Sequence, residues 1–295
     1  MTFLLRWISR WPLGWVQALG AAMGWLAWAL SPTYRKRLAL NARLAGLTDA
    51  QIREAVLQAG RMSAETPWLW FRPASRPLAG LMQWQGLPCV EQALAERRGL
   101  VLLTPHLGSF EIAGRAYAER FGAQQPLTAL YRPAKQAFMA KIQTYVRTAP
   151  GLSAAPANLA GVRQMLRALR RGETVGLLPD QVPPKGQGVW VPFFGQRAYT
   201  MTLAARLVQQ TGCTVLLAWA ERLPGGRGFR MCFAPLPEPL PATSAGEEAA
   251  ALSVNRAMEW VIAGCPAQYL WGYNRYKGPR DEEALRQRES KGRTD

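Results

Sequence analysis

The pattern that most constrains this chain is a repeated exchange between short apolar runs and helix-like stretches over residues 100–263. The runs are LVLLT (100–104), LTALY (127–131), TVGLLP (174–179), TVLLAWA (214–220) and FRMCFAP (229–235). Each is too short for a buried helix and most contain β-branched residues, which suits strands covered on both faces. Between and after them, amphipathic spacing predicts helices from about Ser109, near 135–148, over 158–171, near 200–211 and over 246–263. Strand–helix alternation of this kind defines an α/β fold with a mostly parallel or mixed central sheet flanked by helices. Ligands of open α/β sheets bind beyond the carboxyl ends of the strands. The residues that follow the first three runs are therefore the first candidates: Thr104-Pro105-His106, Tyr131-Arg132-Pro133 and Pro179-Asp180-Gln181.

The amino terminus is different in kind. No residue from Trp11 to Thr33 is charged, while Arg6 and Arg10 precede the stretch and Arg35, Lys36 and Arg37 follow it. A helix needs about 20 apolar residues to span a bilayer. Pro12, Gln17 and several Gly and Ala keep this one only moderately hydrophobic, and basic residues on both sides blunt any reading of orientation. Residues 1–33 are expected to be a retained membrane anchor helix, either crossing the bilayer or lying in the cytoplasmic leaflet. A cleaved signal peptide, with Ala27-Trp28-Ala29 as its small-x-small site, and a buried core helix are the competing readings. Residues 34–72 read as helical, with Thr48 as an N-cap before DAQIREAV. One large domain is expected over 34–280, followed by a charged, disordered tail over 281–295.

Charge narrows the partners. The 36 Lys and Arg against 19 Asp and Glu give a formal net charge of +17, which favours anionic partners. Twelve Trp and the apolar amino terminus fit a membrane surface better than a nucleic-acid groove, so no nucleic-acid partner is expected. Cys89, Cys213, Cys232 and Cys265 form no CxxC and are expected to be reduced thiols, mostly buried. His106 is the sole histidine, which excludes a metal site built on two imidazoles. Neither GxGxxG nor a P-loop is present.

The chemistry collects around His106. Glu111 lies five positions on, and in one continuous helix the two would sit roughly 140° apart. With His106 at a strand end and Glu111 in the first turn of the next helix, they can face each other, with Gly108 allowing a tight bend and Ser109 as N-cap. A carboxylate on one ring nitrogen fixes the tautomer and leaves the other nitrogen as a general base. No serine sits in a GxSxG elbow, so the base is expected to activate a substrate hydroxyl. Asp180 reads either as a site acid or as a structural acid bonding loop N–H groups, and the PPKGQG loop beyond it either as a polar rim or a plain turn. On the 158–171 helix, Leu159, Val162, Leu166 and Leu169 share a face, with Arg163, Arg167, Arg170 and Arg171 elsewhere. That face packs on the sheet, and Arg163 or its neighbours are candidates for acidic headgroups or an acidic carrier protein.

TPHLGSFE resembles the HxxxxD/E block of the glycerolipid acyltransferase superfamily. With RKRLALN (35–41), YRP (131–133), NLAGVRQMLRALRRGETVGLLPDQVPPKGQGVWVPFFGQ (158–196) and PAQYLW…RYK (266–277), the chain is similar to the lipid A biosynthesis late acyltransferases over nearly its entire length. The resemblance implies a glycerol-3-phosphate acyltransferase-like domain at the cytoplasmic face of the inner membrane. It implies an acyl carrier protein thioester as donor, no separate cofactor or metal, and a hydroxyl of an anionic, phosphorylated glycolipid, the lipid A precursor, as acceptor. By the same resemblance His106 is the general base and Glu111 its orienting partner. Arg132 and Asp180 fall in further active-site blocks, with Gln181, Lys185 and Gly186 beside Asp180. The family often carries a His soon after QYLW, where this chain reads YLWGYNRYK, which leaves another acceptor (lysophospholipid, ornithine lipid or glycolipid) open.

Overall fold

The structure, a computed structural model, describes residues 2–73, 75–131 and 150–281. Its centre is a seven-stranded sheet. The strands are β1 (Met82–Gln85), β2 (Leu100–Leu103), β3 (Leu127–Tyr131), β4 (Leu152–Pro156), β5 (Thr174–Leu177), β8 (Thr214–Arg222) and β9 (Phe229–Pro235). They lie in the order β1-β9-β8-β2-β5-β3-β4. Five strands run parallel, and β9 turns back against β8 and carries β1 with it. Strands β2 and β5 are neighbours, with Leu103 opposite Leu177, although 70 residues separate their sequences. That pairing sets the next residues of both strands side by side at one sheet edge.

Both faces of β2 are buried. Val101 and Leu103 join the core beneath α7 (Leu159–Arg170), α8 (Leu203–Thr211) and α9 (Gly246–Gly264), while Leu100 and Leu102 join the core beneath α5 (Leu87–Ala95) and α6 (Phe110–Phe121). The alternation along one strand thus supplies two cores, as a doubly covered sheet requires. A separate hairpin, β6 (Gly188–Phe193) and β7 (Gln196–Met201), turns through Phe194 (φ +47°) and Gly195 (φ +74°). Two successive positive φ values are the signature of a tight hairpin turn whose twist matches its strands.

Four helices precede the sheet: α1 (Thr2–Ile8), α2 (Leu13–Leu30), α3 (Pro32–Leu44) and α4 (Asp49–Trp70). Pro12 separates the first two, and Thr48 closes a capping box with Gln51 at the start of α4. The chain predicted as helical over 34–72 is thus two helices around the Gly46 turn (φ +79°). The apolar segment α2 packs along α4 through glycines. A Cβ on Gly20 would come 2.7 Å from the Gly60 carbonyl oxygen, and one on Gly60 would collide with the Gly20 carbonyl. Close approach of this kind lets long stretches of two helix backbones touch.

Strands β2, β3, β5, β8 and β9 and the helices at 110–121, 159–170, 203–211 and 246–264 fall where the sequence predicts them. The predicted helix near 135–148 and the tail beyond Asp281 lie outside the described residues. Ser109 does precede α6, but its side chain makes no capping bond; its N–H instead donates to the Ala220 carbonyl at 2.9 Å. Cys213 and Cys232 are buried, Cys89 and Cys265 half-buried, and all four are free thiols.

The glycine seam can be tested directly. Gly60→Ala is expected to destabilise the protein by about 1–3 kcal/mol through overpacking. Gly14→Ala, where a Cβ would meet nothing nearer than 3.8 Å, is expected to be neutral. Thermal unfolding in detergent compares them; equal midpoints would show that the α2–α4 contact is loose.

Candidate active site

The loop between β2 and α6 is held in a single conformation by its own backbone. Gly108 adopts φ +59°, and a Cβ there would strike the Ala220 carbonyl, so the chain bends where only glycine fits. The Gly108 N–H donates to the Gln268 carbonyl at 2.9 Å, and the His106 carbonyl accepts from Leu270 N–H at 3.0 Å. Strand β8 on one side and the 268–270 segment on the other therefore fix the backbone that carries His106.

The imidazole is held equally firmly. Nδ1 lies 2.7 Å from Oδ1 of Asp180, and the His106 backbone N–H donates to Oδ2 at 2.8 Å. Asp180 arrives from the end of β5, the strand paired with β2, and is completely buried. Burial by itself pushes a carboxyl pKa up. Here the positive charge and hydrogen bonds of His106, with Arg275 beyond, outweigh it and hold Asp180 below its usual value. An ionised Asp180 accepts a hydrogen bond from Nδ1–H, so in the neutral ring the second nitrogen, Nε2, carries the lone pair. Gln181 places its amide Nε2 3.0 Å from that nitrogen, and the Phe110 ring sits edge-on at a centroid distance of 4.9 Å.

Behind this pair stands a polar shell that sequence reasoning did not assign. Burial first, and then the Asp180 charge, push the Tyr269 phenol well above its usual pKa, so it stays protonated. Arg275 is buried and donates to the Tyr199 carbonyl and to Thr200 Oγ1, both at 2.7 Å. Asn255 donates to Thr200 and to the Pro192 carbonyl, fastening the β6–β7 hairpin to α9. The only sequence signal for this shell is the PAQYLW…RYK block, whose residues form the back wall of the site.

In front of His106 opens a cavity of about 810 Å³, within the range of small-molecule sites. Its inner part is apolar, with Leu102, Tyr117, Leu127 and Met231 among its walls. Burial raises the Tyr117 hydroxyl there to about 12, against the opposing effect of its 2.7 Å hydrogen bond to Thr174. Leu159, Val162 and Leu166 of α7 line the opposite side. The apolar face expected to pack on the sheet does so through Leu169 and, in part, Leu166, with Met165 and Ala168, while Leu159, Val162 and Leu166 also border the cavity.

Of the residues singled out from the sequence, His106, Glu111, Gln181 and Arg163 all line this cavity. Asp180 lies directly behind His106 and serves both readings given to it, bonding a loop N–H and a site imidazole. Glu111 stands in the first turn of α6, where Trp70 Nε1 donates to its Oε2 at 3.4 Å. The carboxylate seated on His106 Nδ1, expected to be Glu111, is Asp180. Local spacing favours Glu111, whereas strand pairing delivers Asp180. Lys185 and Gly186 do not reach the cavity wall. Lys185 pairs with Asp281 at 3.0 Å on the surface, and the Gly186 N–H donates to the Tyr199 hydroxyl at 3.0 Å. Arg132 lies outside the described residues.

Comparison with known proteins decides the family. The sequence profile described as bacterial lipid A biosynthesis acyltransferase matches residues 1–278. The chain belongs to that family. It is 28% identical over 269 residues to a lipid A biosynthesis lauroyltransferase of Escherichia coli (strain K12), covering 89% of this chain and 85% of that one. It is 29% identical over 233 residues to a lipid A biosynthesis palmitoleoyltransferase of the same organism, covering 78% and 72%. A lipid A biosynthesis acyltransferase of Haemophilus influenzae is 26% identical over 242 residues, covering 78% and 73%.

Because folding lowers the Asp180 pKa, the unfolded chain binds this proton more readily than the native protein. The resulting stabilisation is complete above the ordinary carboxylate pKa of about 4 and is lost as pH falls through the lower folded value. Asp180→Asn removes it. The gap in urea midpoint between the native protein and this variant is expected to be wider at about pH 6 than at about pH 3; a constant gap would assign the acid sensitivity to other groups.

Proposed function

We propose that this protein transfers a fatty acyl group from an acyl carrier protein thioester to a hydroxyl of a lipid A precursor, with His106 as the general base. The observation that carries this reading is the imidazole tethered by Asp180 through Nδ1 in the wall of a largely apolar cavity of about 810 Å³. The acyl chain occupies the inner cavity. The acceptor hydroxyl takes the place of the Gln181 amide at Nε2 and attacks the thioester carbonyl as His106 removes its proton. A C–O bond forms and a tetrahedral oxyanion results. Its collapse breaks the C–S bond, and the imidazolium returns the proton to the departing thiolate.

Asp180 takes the orienting place in this scheme, stabilising the imidazolium as its charge develops. Glu111 is a second carboxylate on the cavity wall beside the reacting atoms. The amino-terminal end of α6, which carries Phe110 and Glu111 into the cavity, brings the positive end of its helix dipole toward the oxyanion. Among the cavity-lining cations, Arg163 favours an anionic phosphate of the acceptor or the acidic surface of the carrier protein, whereas Arg206 is paired with Glu247. Placement at the cytoplasmic face of the inner membrane follows from where both substrates would meet.

A different acceptor is the second reading, supported by the YLWGYNRYK departure from the family pattern. The lipid profile of a deletion strain separates the two: unchanged lipid A with another lipid under-acylated would favour the second.

With purified enzyme, acyl carrier protein thioester and lipid A precursor, His106→Ala is expected to lower turnover by about 10²–10⁴-fold. Full activity in that variant would overturn the base assignment. Asp180→Asn is expected to lower kcat at least as far as Glu111→Gln; the reverse order would return the orienting role to Glu111.

A further inference from the structure

We propose that α1 and α2 lie flat within one leaflet of an anionic bilayer, so that both ends of α2 stay on the side that bears the catalytic domain. This refines the membrane placement within the functional reading above.

Helix α2 is long and apolar enough to cross a membrane, and only 28% of it is buried, so it is not a core helix. Its inner face nevertheless belongs to the domain. Leu13, Val16, Gln17, Gly20 and Gly24 are buried, the glycines against α4. Gln17 Nε2 donates to Glu65 Oε1 at 2.8 Å, and the two Glu65 oxygens accept from Nε and an NH2 group of Arg222. Glu65 and Arg222 are both buried, and Arg222 also donates to the Gly108 carbonyl at 3.1 Å. Swinging α2 away to cross the bilayer would strip Gln17 from this pair and carry an unpaired amide into hydrocarbon, where such groups are costly.

Both ends are fastened to the same body. At the first, Ser9 Oγ donates to the Phe71 carbonyl at 3.0 Å and Trp68 Nε1 to the Trp11 carbonyl at 3.1 Å. At the second, Trp28 and Tyr34 pack against the main core, and Asn41 Nδ2 donates to the Trp271 carbonyl at 2.8 Å. An 18-residue helix is about 27 Å long. Touching one domain at both ends, its axis runs along the domain surface.

The outer face is wholly apolar. Trp15, Leu19, Met23, Leu26 and Leu30 recur at helical spacing and are exposed, Trp15 at 68% and Leu30 at 74%. Trp7 continues this surface on α1. Soluble proteins seldom show water an unbroken strip of this kind. The charge around it identifies the occupant: residues 1–48 contain six Arg and Lys and no Asp or Glu, with Arg6 and Arg10 before α2 and Arg35, Lys36 and Arg37 after it. Apolar residues and Trp below, with cations at both ends, match an interfacial helix against anionic headgroups.

The test is sidedness. In a background with the four native cysteines replaced by alanine, Arg10→Cys and Lys36→Cys are each reacted with a membrane-impermeant maleimide in right-side-out and inverted vesicles. Both are expected to react from the same face; reaction from opposite faces overturns the proposal. Protease removal of an amino-terminal epitope tag from the same vesicles gives the answer independently if the cysteine-free chain folds poorly. Leu19→Ser with Met23→Ser is expected to weaken partition into phosphatidylglycerol vesicles by more than about tenfold. Unchanged partition, or a soluble protein whose strip is covered by a second copy, also overturns it. None of these readouts involves turnover, so they stand or fall separately from the acyl-transfer assignment.

Discussion

A carboxylate enclosed on every side must be paired, because an isolated buried charge is among the costliest things a protein can hold. Asp180 is such a group, and the surrounding architecture answers to it. One oxygen takes the imidazole and the other the backbone N–H of the same residue, so side chain and main chain of His106 are positioned together. The pairing of β2 with β5 makes this possible, since each residue is the third beyond its strand. Tyr269 and Arg275 complete the enclosure from behind and so draw the 266–277 segment into the site.

The same economy of fixed contacts explains how an otherwise ordinary α/β sheet comes to hold a cavity. Small residues on the sheet and on α6, such as Ala129, Gly176 and Gly114, leave room that larger ones would fill. Leu159 and Val162 of α7 then face that room, and Leu166 sits between it and the core. The apolar side of α7 is thus exposed within the protein, which is why its pattern reads from the sequence as ordinary core packing.

Much of the sheet was legible because its central strands are continuous apolar runs. The elements that escaped carry weaker signals. Strand β1 is MQWQ, half polar and only four residues long, and β4 is LSAAP, an edge strand ending in proline. The β6–β7 hairpin hides its turn at Phe194, a bulky residue with positive φ where Asn or Asp is the usual sign. In the site, His106 could be found from its position after a strand. Asp180 could be found in the same way, but its pairing with His106 could not, because Glu111 is five residues away and Asp180 is 74, and only the strand order makes the distant one adjacent. Tyr269 and Arg275 lie in the PAQYLW…RYK block, but nothing in that block marks them as the partners of Asp180; burial does.

The amide of Gln181 has a consequence for selectivity between acceptors. It lies 3.0 Å from Nε2 of His106, so that ring nitrogen already has a hydrogen-bond partner within the protein. An incoming molecule must displace it, and a single water gains little by doing so, since it exchanges one hydrogen bond for another. An alcohol anchored elsewhere through phosphate contacts brings additional binding energy to the exchange. In the proposed acyl transfer, this would shield a thioester donor from hydrolysis until the acceptor binds.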